Sequence, residues 1–156
     1  MKLKNLLNYK DFHSDNIIFN SLMKSTDDEI LNYIINITSD LLNEVFLNND
    51  FKISSKENLN NYEEKELGEL ATYICITPFV QSNLAKEINW QSKATSYLEC
   101  FIGYIIGTIN KKEFLSNLTE MTEILNISNK FYTGLVIYFG KNKEFIINGI
   151  LNKLQF

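Results

Sequence analysis

From Asp27 to Leu47, the apolar residues Ile30, Leu31, Ile34, Ile35, Leu41, Leu42, Val45 and Phe46 recur at three- and four-residue steps. At 3.6 residues per turn this spacing gathers them on one helical face. Asn32, Asn36, Asp40 and Asn43 fall on the other. Thr26 followed by Glu29 makes a capping box, and Asp27 and Asp28 sit where the helix dipole favours negative charge. A stripe of this width must be buried against other elements, so the chain needs further helices to cover it.

A second helix is predicted from Ser92 to Ile109. Leu98, Phe101, Ile102, Ile105, Ile106 and Ile109 form its bulky stripe, while Cys100, Gly103 and Gly107 make the far side small. Two apolar faces describe a central helix with a neighbour packed closely on its glycines. Weaker patterns fill the rest of the chain. Ser14 is a candidate cap for a helix containing Ile17, Ile18 and Leu22. Tyr62 to Ile76 carries Leu67, Leu70, Ala71 and Ile74 on one side. It is expected to end or kink at Thr77-Pro78, with Pro78 opening a short helix through Ile88. Asn110 with Glu113 caps another helix, and Ser128 starts one that ends near Gly140.

Phe131 to Leu151 is rich enough in Val, Ile, Phe and Tyr to read as a β-hairpin around Gly140-Lys141-Asn142-Lys143. Strict alternation is absent, however, and Ile146, Ile147, Ile150, Leu151 and Leu154 group at helical spacing, which favours two helices joined by a short turn. Asn48 to Asn61 is the one long polar connector. The fold expected is all-α: one compact domain over residues 1–156. It holds about six to eight helices, in a helical-hairpin or bundle arrangement around a central helix near 92–109.

With 45% hydrophobic residues the chain can fill one sizeable core. Its basic residues are all lysine, and Asn and Ile are frequent, a bias that points to an AT-rich bacterial or phage genome. The missing guanidinium removes the bidentate fork that suits phosphate, carboxylate and guanine. A net charge of −4 repels nucleic acid and anionic membrane and attracts basic partners. The N-terminus has no apolar run of signal-peptide length, and Tyr97 to Ile109 is too short and interrupted to span a bilayer, so a cytoplasmic location is expected.

Candidate chemistry is sparse. The lone histidine, in Asp11-Phe12-His13-Ser14-Asp15, has a carboxylate beside it that can orient a general base. Yet these groups are sequence neighbours on a loop or helix start, where side chains diverge, and helix capping explains Ser14 and Asp15 equally well. Cys75 and Cys100 lie in apolar patterns that read as reduced core thiols, with a raised pKa that makes them inert. No zinc-ligand spacing or glycine-rich phosphate loop occurs, and the acidic helices lack the histidines of a di-iron centre, so no cofactor or metal is expected.

The acids remain: Asp27, Asp28 and Glu29, Glu57 in the polar connector, then Glu63, Glu64, Glu66 and Glu69. Any one of them is accounted for as a solvated helix start. Together they form the best candidate surface for steering a basic protein partner. In overall character, though by no diagnostic motif, the chain looks like bacterial immunity proteins, which are short, acidic, single-domain chains that occlude the active site of a cognate toxin. That likeness implies a non-catalytic protein partnered by a basic toxin domain, with no nucleic acid or membrane involved. Two other classes compete. One is an enzyme or small-ligand protein with a pocket among Trp90, Tyr97, Tyr104, Phe131 and Tyr138. The other is a helical transcription or phage-defence regulator, which would want a basic recognition helix that the sequence does not show.

Overall fold

A computed structural model of the chain describes residues 2–7, 17–45 and 49–154. Every regular element among them is helical: α1 Leu3–Leu6, α2 Ile17–Lys24, α3 Asp27–Val45, α4 Asn49–Asn61, α5 Glu64–Leu84, α6 Trp90–Ile106, α7 Lys111–Ile124, α8 Asn129–Lys141 and α9 Lys143–Lys153. The all-α architecture read from residue spacing is therefore the fold. His13 and the Ser14 cap lie outside the described residues, as do Phe46 and Leu47 at the end of the first predicted helix.

The local start signals act as their chemistry dictates. At α3 the Thr26 N–H donates to Glu29 Oε1 at 3.1 Å and the Glu29 N–H to Thr26 Oγ1 at 3.2 Å, a reciprocal capping box. Asn110 Oδ1 accepts from the Glu113 N–H at 2.8 Å, and Ser128 Oγ from the Phe131 N–H at 3.2 Å. The C-terminal region is two helices, and the turn between them is Asn142 alone, whose Nδ2 donates to the Tyr138 carbonyl at 2.9 Å. The helix capped by Ser128 ends at Lys141, next to Gly140, where it is expected to end.

Three expectations change. Residues 49–61, taken as a polar connector, form α4. Ser55, Leu59 and Tyr62 are buried on one side of this segment, and Asn58 Nδ2 donates to the Ile105 carbonyl at 2.6 Å. That carbonyl is one of the orphan acceptors at the end of α6, so α4 is held by tertiary contacts that its own composition does not announce. Second, α5 runs unbroken through Pro78. Proline removes one helical hydrogen bond, but Leu67 through Thr77 are all buried, as are Val80 and Leu84 beyond it, and this burial holds both halves in line.

Third, the glycines of α6 serve its end: Gly107 terminates the helix and meets Asn58 of α4, and Gly103 receives the reversing chain and no neighbouring helix. Gly107 adopts φ +88°, a left-handed conformation in which a side chain is strained. Its N–H donates to the Tyr104 carbonyl at 3.3 Å and the Thr108 N–H to the Gly103 carbonyl at 2.8 Å, the pairing of a Schellman cap. The reversal folds Ile109 back over Gly103, where an added Cβ would lie 2.7 Å from its Cδ1.

Close helix packing occurs elsewhere. A Cβ on Gly140 would sit 2.6 Å from the Glu64 carbonyl oxygen, and one on Gly68 would be closer still to the Val136 carbonyl oxygen. Because Gly68 meets Val136 while Glu64 meets Gly140, α5 and α8 run antiparallel with one turn of each matched to one turn of the other. Buried Thr72 extends the small face of α5 by another turn, its hydroxyl donating to the Gly68 carbonyl at 2.7 Å. The middle of α6, Cys100 to Ile105, is buried on all sides, as expected of a central helix. The buried run of α5 is longer, and the other helices gather around it.

Candidate functional site

The acids of α5 divide by helical phase. Glu63 and Glu64 face solvent, whereas Glu66 is half-buried and Glu69, three residues on, is only 5% exposed. At the helix start the Glu63 N–H donates to Glu66 Oε1 at 3.5 Å. Glu64 pairs with Lys141 of α8 at 3.4 Å, and Glu66 with Lys111 of α7 at 4.0 Å. Glu66 also accepts from the Tyr104 hydroxyl, and Glu69 Oε2 from the Tyr132 hydroxyl, both at 3.5 Å. The other Glu69 oxygen, Oε1, is buried with no hydrogen-bond partner.

The result is a polar knot between α5, α6, α7 and α8: two carboxylates, the Tyr104 and Tyr132 hydroxyls, and Lys111. Burial raises the Glu69 carboxyl above its ordinary range, outweighing the opposing pull of Lys111 and Lys65. Burial first, then Glu66 and Glu69, pushes the Tyr104 hydroxyl up to about 12. A raised carboxyl binds its proton more tightly in the folded state than in the unfolded one. Its contribution to stability is complete below the ordinary value of 4.5 and is lost as pH rises through the higher folded-state value. Glu69→Gln, which keeps the shape and removes the ionisable group, should therefore be stabilising near neutral pH. It should also flatten the fall in melting temperature as pH rises above 4.5; parallel profiles for the variant and the parent would refute this reading.

An aromatic ladder backs the knot. Tyr62 stacks on Tyr104 at 5.4 Å between ring centres, Tyr104 on Phe114 at 4.2 Å, Phe114 on Tyr73 at 4.9 Å, and Tyr73 on Phe101 at 5.9 Å. Successive rings are offset-parallel, the geometry their quadrupoles favour. Tyr62 and Tyr73 anchor it by donating to the carbonyls of Tyr104 at 3.1 Å and Tyr97 at 2.8 Å.

The remaining predicted acids have separate roles. Asp27 Oδ2 accepts from the Leu3 N–H at 3.2 Å and so ties α1 to the start of α3. Glu29 is committed to its capping box, which lowers its pKa through the Thr26 N–H. Asp28, and Glu57 on α4, are exposed. Among the described residues no hydrogen bond or ion pair joins the α3 acids to those of α5. Sequence reasoning thus found the acids but not the Lys111, Tyr104 and Tyr132 partners that turn two of them inward. Three-residue spacing between Glu66 and Glu69, on a helix apolar on its other sides, was the available signal.

Cys75 and Cys100 are buried thiols, that of Cys75 raised to about 12 by burial, so neither is a ready nucleophile at neutral pH. Tyr97, Tyr104, Phe131 and Tyr138 are buried core residues and Trp90 packs against that core, so these aromatics do not outline a ligand cavity. A separate cleft of about 380 Å³ opens between α2, α3 and α5. Among the described residues no helix is long and apolar enough to cross a membrane, and no group of three or more His, Cys, Asp or Glu converges. The sequence matches no protein-family profile, and neither a curated protein nor a solved structure matches it.

Proposed function

We propose that this protein is a non-catalytic binding module for a basic protein, and specifically an immunity protein that occludes the active site of a cognate toxin in the cytoplasm of the cell that makes it. The observation that carries the reading is the set of carboxylates facing water on three helices: Asp28 and Glu29 on α3, Glu57 on α4, and Glu63 and the Lys141-paired Glu64 at the start of α5. On a chain of net charge −4, fixed acids of this kind raise the encounter rate with a cationic surface and disfavour anionic competitors. Half-buried Glu66 and buried Glu69 belong to the fold in this reading.

The test uses the purified product of the adjacent gene as partner. A triple variant, Asp28→Asn, Glu57→Gln and Glu63→Gln, removes three charges from exposed positions. The association rate at low salt should fall about tenfold, with a flatter salt dependence and little change in melting temperature. Unchanged association kinetics, or no binding and no inhibition of the partner's activity by the parent protein, would overturn the proposal.

A further inference from the structure

The cleft between α2, α3 and α5 has a chemical character beyond the protein-partner reading, with which it shares Glu29. Its volume of about 380 Å³ falls within the range of sites that enclose a small organic molecule. Leu22, Ile30, Pro78 and Phe79 supply apolar walls. Among the described residues its charged group is the Glu29 carboxylate, and no cationic side chain lines it. Two hydrogen bonds of the capping box hold the Glu29 backbone and carboxylate in place, so the charge is positioned before any ligand arrives. Tyr33, one turn further along α3, also borders the cleft and is 37% exposed, which is high for an aromatic ring beside a core.

One anion held by its capping box over apolar walls complements a molecule with an apolar body and a positively charged, donor-bearing head. We infer that this cleft is a binding site for a small amphipathic amine, the ammonium lying against Glu29 and the hydrocarbon or aryl body between Tyr33, Pro78 and Phe79. An anionic ligand of the same shape would meet the Glu29 charge with no cation to offset it, and a neutral one would forgo the charge that distinguishes the site.

The probes are phenethylamine, as the ammonium, and 3-phenylpropanoate, its anionic counterpart, titrated separately into the full protein and followed by amide chemical shifts. Phenethylammonium should bind with a dissociation constant on the order of 1 mM or tighter, shifting residues of α2, the first half of α3 and the segment around Pro78. The propanoate should bind at least tenfold more weakly. Glu29→Gln keeps a side chain able to complete the capping box, so the fold should hold while affinity for the amine drops about tenfold. Ser21→Phe, at an exposed position on the rim, should block the probe without touching the core. The inference is overturned if phenethylammonium produces no shifts around the cleft, if the propanoate binds equally well, or if Glu29→Gln leaves amine affinity unchanged. None of these outcomes depends on whether a basic protein binds the exposed acids, because the probe assay contains no such protein.

Discussion

Gly68→Ala should lower the melting temperature by on the order of 10 °C, although on an exposed helix the same change would stabilise by about 1 kcal/mol. The reason is where the new methyl would go. It would be 3.0 Å from the Val136 carbonyl carbon and nearer still to the oxygen, and those atoms belong to the backbone of α8. A helix backbone cannot turn aside as a side-chain tip can, so α5 and α8 must separate along their length. Overpacking of this kind costs about 1–3 kcal/mol or more, and we expect the upper end because one turn away Gly140 is also tight against the Glu64 carbonyl. Gly134→Ala is the control. Its methyl would meet only Leu7 Cδ2, the end of a flexible side chain, at 2.8 Å, and its melting temperature should stay near that of the parent. Thermal melts of the two variants by circular dichroism decide the matter: equal losses would mean that the α5–α8 contact does not set the stability.

Tyr73→Ala should cost about 3–5 kcal/mol, a large share of the 5–15 kcal/mol typical of a whole domain. Tyr73 is fully buried on α5, sits in the aromatic ladder between Phe114 and Phe101, and donates to the Tyr97 carbonyl. Its removal opens a cavity where α5, α6 and α7 meet, and fixed rings on both sides leave little room for collapse. Tyr73→Phe retains the stacking and loses only the hydroxyl contact, so it should cost about 1 kcal/mol. Chemical denaturation of both variants separates the two contributions. A Tyr73→Ala protein as stable as Tyr73→Phe would show that the ladder is not an energetic unit.

What could be read from the sequence was local. The α3 stripe and the caps at Thr26, Asn110 and Ser128 depend on residues three or four apart, so spacing alone reveals them. The structure of α4 was hidden because its support comes from α6: the Ile105 carbonyl needs a donor, and Asn58 supplies it from another helix. The passage of α5 through Pro78 was hidden for a similar reason, since local chemistry argues for a break and burial on both sides overrules it. The same surroundings explain Glu69. A helix covered on every side buries even the acid on its polar face, and no window of α5 alone contains Tyr132 or Lys111. For the candidate surface, the sequence located the acids, while helix phase determined which of them face water.

The antiparallel pairing of α5 with α8 also orders events during synthesis. Gly68 meets Val136 across most of the second half of the chain, so α5 leaves the ribosome well before the helix that covers it. At 5–20 residues per second the interval is on the order of several seconds. For that time the apolar run from Leu67 to Thr77 has no α8 to close over it, and a nascent chain interrupted before Lys141 would keep it bare, a natural target for chaperones and proteases.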